Sequence, residues 1–127
     1  MQTAAIIAAI LIGVVTVFQL ALALGLPAGR ASWGGRHEGV LPTRLRVASG
    51  FAAIFAYPLI IFVVLDAADV IGSDEMPDIG ASGMWVLTGL FALGAVANFA
   101  SRSPVERLWG PVSLVIAVCC AIVAWGL

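Results

Sequence analysis

Of 127 residues, 62% are hydrophobic and 10% are charged; the six basic residues are all Arg, against seven acids and one His, for a net charge of −1. Soluble domains average about a quarter charged residues, so this composition excludes a water-soluble globular domain. The charges are also confined, because positions 3–26, 47–65, 79–101 and 108–127 contain no Asp, Glu, Lys, Arg or His.

A helix of roughly 20 apolar residues crosses a hydrocarbon core about 30 Å thick. The expected fold class is therefore all-α: a four-helix transmembrane bundle, up-and-down, in one domain over 1–127, with spans at about 3–26, 47–65, 82–101 and 108–127. The remaining segments are short connectors with no room for a separate soluble domain.

The first span is long for a signal peptide, whose apolar core runs about 7–15 residues behind a basic leader, and Met1–Thr3 carries no side-chain charge. It is expected to remain as a span. Ala4, Ala5, Ala8, Ala9 and Gly13 give it a face for close helix approach, and Thr16 and Gln19 are its polar groups. The first connector follows, with Trp33-Gly34-Gly35-Arg36-His37-Glu38-Gly39 at its centre. Its glycines permit turns closed to other residues, so this segment can fold back against the mouth of the bundle.

In the second span, Ala48, Ala52 and Ala56 recur at four-residue spacing, and Tyr57-Pro58 falls near the middle. Proline removes a backbone donor and clashes with the preceding turn, so a kink is expected at Tyr57 and Pro58. The next connector holds Asp66, Asp69, Asp74, Glu75 and Asp78 with no basic residue, in a spacing that matches no calcium loop. The third span offers Gly94, Ala95 and Ala97 for packing, with Thr88 and Asn98 as polar groups. Ser103-Pro104-Val105-Glu106 then reads as a capping box, Ser at the cap and Glu at the third helical position. Cys119 and Cys120 sit side by side in the fourth span, where adjacent helical positions diverge by about 100° and cannot bridge each other.

Every Arg falls in the first connector (Arg30, Arg36, Arg44, Arg46) or the third (Arg102, Arg107). The positive-inside rule puts that side in the cytoplasm and both termini outside it, and a bacterial plasma (inner) membrane is the expected location. Tryptophans mark the same levels: Trp33 and Trp109 at the Arg-rich side, Trp85 and Trp125 at the other, as interfacial anchors. The basic face suits the bilayer's anionic headgroups.

Polar groups within spans are costly and kept only with partners. Gln19, His37, Glu38, Asn98, Arg102 and Glu106 all fall near the Arg-rich side and form a candidate inner polar cluster, either pinning the connector or serving a site. No span carries the carboxylate a proton-coupled small multidrug exporter needs, one His cannot supply paired haem ligands, and no thiol pair has redox spacing. No catalytic, cofactor-binding or metal site is expected.

The string Trp33-Gly34-Gly35-Arg36-His37-Glu38-Gly39-Val40-Leu41-Pro42, with Arg44, Arg46 and Ser49, resembles a signature of small uncharacterised four-span bacterial integral membrane proteins. Asn98, Ser101-Arg102-Ser103-Pro104, Glu106-Arg107 and Pro111 are similar to their third connector. The resemblance covers nearly the whole chain and implies the four-span architecture without an activity. The expected function is non-enzymatic: association as a self-associating or accessory membrane subunit, with no nucleic acid as partner. The alternative is a small homodimeric channel or transporter for an anion or polar solute, with Gln19, Asn98 and Arg102 lining an inward-facing cavity. An enzyme using His37 and Glu38 as acid and base has the residue types but no anchoring motif.

Overall fold

In a computed structural model, residues 1–72 and 78–127 are described, so Asp74 and Glu75 lie outside the described residues. Four helices, each long and apolar enough to cross a membrane, run up and down: α1 Gln2–Ala23, α2 Thr43–Ala67, α3 Gly80–Phe99 and α4 Pro104–Gly126. No strand occurs among the described residues. Both termini lie at the end of the second connector, where Gln2 Nε2 donates to the Asp69 carbonyl at 3.2 Å. At the opposite end the two Arg-bearing connectors touch, through the hydroxyl of Ser103, which donates to the Arg30 carbonyl at 2.6 Å.

Local chemistry sets the helix ends more sharply than the loss of apolar residues does. α1 stops because Gly25 adopts φ 103°; the N–H of Leu26 bonds to the Ala21 carbonyl at 2.9 Å and that of Gly25 to Leu22 at 3.1 Å. Those two bonds satisfy carbonyls that the helix end leaves open. A third carbonyl there, that of Ala23, accepts from Arg46 Nε at 3.1 Å, a cation placed where the helix dipole favours one. α2 starts at Thr43 behind Pro42 and passes through Arg44 and Arg46 before its apolar stretch begins.

Ahead of Tyr57-Pro58, where a kink is expected, the helix passes through a wide turn. Residues Ala52–Ala56 are π-helical, with the N–H of Tyr57 bonded five residues back to Ala52. The extra residue in that turn accommodates a proline that can neither donate a hydrogen bond nor fit against the carbonyl four residues before it. In α4 a break at Leu108 separates the turn Pro104–Arg107 from Trp109–Gly126. Pro111 falls in the first turn after that break, where backbone N–H groups have no intrahelical acceptor.

α4 is the most enclosed helix. α3 packs along most of its length on α4, and α1 packs on both α4 and α2, whereas α2 and α3 hardly meet despite being consecutive. The apolar core occupies the half nearer the termini: Ala5, Ala8 and Ile12 of α1, Val64 of α2, Met84 of α3, and Ile116, Cys120 and Val123 of α4. Alanines on α1 bring helix backbones close, which is how apolar helices hold together where burial from water is not the drive. Both cysteines are free and buried in this core. Trp85 and Trp125 meet edge to face at its end, 6.4 Å between centroids. Outward, large apolar side chains such as Ile10, Val17, Phe51, Leu93 and Val118 are exposed on every helix, a surface far more apolar than a monomer in water presents.

Candidate functional site

The half that lacks a packed core holds a cavity instead. The first connector builds one wall of it. Trp33, Gly34 and Gly35 take successive positive φ values of 52°, 82° and 68°, a short left-handed stretch closed by the N–H of Gly35 bonding to the Ser32 carbonyl at 2.9 Å. Glycine enters this conformation freely, but for tryptophan it costs about 1–2 kcal/mol. That strain is offset by a tie across to α2, where the Trp33 indole N–H donates to the fully buried Ser49 hydroxyl at 3.0 Å. The connector is also folded onto itself, with the N–H of Gly29 on the Gly39 carbonyl at 2.8 Å, and it rests on the start of α4 at Gly35, where an added Cβ would come 2.5 Å from that of Ser103.

The start of α4 departs from the full capping box. Ser103 Oγ does accept from the N–H of Glu106, at 3.4 Å. The reciprocal bond, from the Ser103 N–H to the Glu106 carboxylate, is replaced: that N–H goes to Ser101 Oγ at 3.1 Å. Released from the cap, the Glu106 side chain lines the cavity, 5% exposed, with Oε2 unpartnered among the described residues.

The cavity encloses about 440 Å³ and draws on all four helices as well as the connector, within the size range of small-molecule sites. Val15, Ile60, Leu87 and Ile116 supply apolar wall. Aromatic wall comes from Tyr57, Phe91 and a tilted Phe18–Trp109 pair with centroids 4.8 Å apart. Polar groups converge from four directions: Gln19 on α1, Ser32 on the connector, Asn98 on α3, and Glu106 and Ser113 on α4. Asn98 Nδ2 donates to Ser113 Oγ at 3.3 Å. Gln19 Oε1 and Ser32 Oγ are buried and, like Glu106 Oε2, have no hydrogen-bond partner among the described residues. Trp33 and Gly34 are exposed as well as lining, so the cavity reaches the surface beside the connector.

Of the residues singled out from sequence, Gln19, Asn98 and Glu106 come together in this cavity, and Trp33, Trp109 and Tyr57 line it with them. His37, Glu38 and Arg102 do not. Glu38 is exposed and pairs with Arg30 at 3.2 Å; His37 faces Gly29 with its backbone carbonyl; Arg102 is exposed, and its carbonyl accepts from Arg107. Of the three residues expected to line an inward-facing cavity for an anion or polar solute, Gln19 and Asn98 line this one and Arg102 does not. Glu106 belongs to the short turn Pro104–Arg107 that precedes the break at Leu108, outside the expected span 108–127, and its side chain is buried. Thr16 and Thr88 donate to carbonyls of their own helices at 2.7 and 2.9 Å and do not line this cavity. Sequence reasoning missed Ser32 and Ser113, which carry no pattern that distinguishes them from any other serine in an apolar chain. No group of His, Cys, Asp and Glu among the described residues is arranged to hold a metal ion. In comparisons with protein families, curated proteins and solved structures, nothing matches the chain, and the site stands on its own geometry.

Proposed function

We propose that this is a multi-pass membrane protein that takes a small solute into the cavity at its Arg-rich end, with that end at the cytoplasmic face and both termini outside. The observation carrying this reading is the convergence of three buried, unpartnered polar atoms, Gln19 Oε1, Ser32 Oγ and Glu106 Oε2, on one cavity. Buried polar groups are nearly always hydrogen-bonded, and each exception calls for a partner. Three exceptions from three separate elements around one space are the signature of a site shaped for an occupant. The packed core behind it makes the space a pocket, so the reading is binding, or the bound state of a transporter, and not an open pore.

Self-association is the second reading, and it rests on a different observation. Because α2 and α3 hardly meet, an apolar groove lined by Leu59, Val63, Ile79, Gly83 and Val86 runs between them, and a second copy of the chain is the occupant proposed there. Native mass spectrometry of the full chain, gently extracted from its own membranes, tests both readings. A small-molecule adduct on wild-type protein that is lost in Gly94→Phe is expected; Gly94 lines the cavity, and an added Cβ meets only Ser113 Oγ, at 3.9 Å. Absence of any adduct, with no binding of the probes described below, sinks the solute reading. A purely monomeric mass sinks the dimer.

A further inference from the structure

We propose that the occupant is an organic cation, a molecule with a protonated amine or related head and an apolar body, with Glu106 as its counter-charge. This rests on the reading that the cavity takes a solute and adds the chemical class of that solute.

Among the described residues Glu106 is the sole carboxylate lining the cavity, and no Arg or His lines it. The arginines at this end are engaged elsewhere or exposed. Arg30 pairs with Glu38, Arg46 caps α1, and Arg107 donates to the carbonyls of Ser101 at 2.8 Å and Arg102 at 3.4 Å. Burying a carboxylate without a paired cation is costly, and no Arg or His lines the space that Glu106 faces. A ligand that brings the positive charge completes the site, whereas an anionic ligand meets repulsion and a neutral one leaves the carboxylate unpaired.

The rest of the lining agrees. Gln19 Oε1 is an acceptor without a donor, which fits an N–H on the ligand head. Aromatic faces attract cations through their quadrupole, and Phe18, Trp109, Tyr57 and Phe91 stand around the same space. The volume and the aliphatic wall exclude a bare inorganic ion as the best fit, because a metal ion would want several oxygen ligands at short range and would leave most of the cavity unfilled.

This carboxylate is available to the cavity for a local reason. In the Ser103–Glu106 register the carboxylate would ordinarily turn back to the cap. Ser101 occupies that cap position with its hydroxyl, so the acid faces the cavity while the helix start stays satisfied.

Three probes of matched size decide the class: phenethylammonium, 2-phenylethanol and phenylacetate, titrated calorimetrically into the full chain in lipid nanodiscs at neutral pH, with empty nanodiscs as blank. The expected result is that phenethylammonium binds about tenfold or more tighter than the alcohol, and that Glu106→Gln removes that advantage while leaving alcohol binding within about twofold. Gly94→Phe should abolish all binding. Alcohol or phenylacetate binding as tightly as the ammonium overturns the cation assignment and leaves the solute reading standing. The same holds if Glu106→Gln folds and keeps the cation preference. If none of the three binds wild-type protein, the cation assignment falls, and the solute reading falls with it when native mass spectrometry also shows no adduct. Should Glu106→Gln not fold, the wild-type ranking of the three probes still decides the proposal.

Discussion

Glu106 owes its position to a competition between two acceptors for a single backbone N–H. Ser101 Oγ and the Glu106 carboxylate can each take the N–H of Ser103, one across a tight two-residue turn and the other across the first helical turn; Ser101 holds it at 3.1 Å. Replacing Ser101 with Ala should hand that N–H to Glu106 and draw the carboxylate out of the cavity. Phenethylammonium affinity is then expected to fall several-fold, while the unfolding free energy changes by no more than about 1 kcal/mol, because one cap acceptor replaces another. Calorimetry and thermal unfolding on the same preparation read the two quantities, and unchanged affinity would mean that the carboxylate does not depend on Ser101 for its place. Half of this arrangement was legible in the sequence. Ser-Pro-Val-Glu announces a helix start, and the start is where it should be. What the pattern hid was that a second serine two residues upstream changes which side chain serves the cap, and the consequence is a buried acid in place of a structural one.

At the scale of elements, the connector between α1 and α2 is built to lie against the start of α4, and glycine is required there for two separable reasons. Gly35 has φ 68° and almost touches Ser103, with an added Cβ 2.5 Å from the Ser103 Cβ and 3.3 Å from the Arg30 carbonyl. Gly39 has nearly the same φ, 70°, with open space around it. Gly39→Ala should therefore show only the backbone cost, about 1 kcal/mol, and Gly35→Ala that cost plus the loss of docking, about 2–4 kcal/mol in all. Chemical unfolding in mild detergent measures the difference, and equal costs would show that the connector's contact with α4 contributes nothing to stability. The glycines of this connector pointed from sequence to a fold-back segment, and the four helices were legible from the charge-free stretches alone. Helix ends were less so, because charge marks where a segment stops being apolar and not where its hydrogen bonds stop. α2 accordingly runs back through Arg46 and Arg44 to Thr43, and α1 ends at Ala23 although the apolar run continues to residue 26. The cavity was not legible, since it needs Gln19, Ser32, Asn98 and Glu106 from four elements, and no spacing in one dimension relates them.

The whole molecule is polarised twice along one axis: a packed core at the end that carries the termini, a cavity at the end that carries all six arginines. The two asymmetries bear on each other. Exposed arginines around a cavity proposed to take a cation would repel it in bare solution, but in a bilayer they would lie at headgroup depth, where anionic phosphates neutralise them, and Glu106, buried beside them, turns its carboxylate to the cavity. Orientation then fixes which compartment the cavity serves. Arginine near span ends is retained on the cytoplasmic side, and the count here is one-sided, so the cavity should face the cytoplasm. Two single substitutions test this without disturbing the core. Gly72→Cys places a thiol in open space at the end with the termini, and Arg36→Cys places one on the exposed connector at the other; native Cys119 and Cys120 are buried and shielded from aqueous reagents. In intact cells a membrane-impermeant maleimide should label Gly72→Cys and spare Arg36→Cys until the membrane is opened. The reverse pattern would turn the cavity to the outside and make its ligand an extracellular one, while labelling of both from outside would break the link between arginine and orientation on which the cytoplasmic assignment depends.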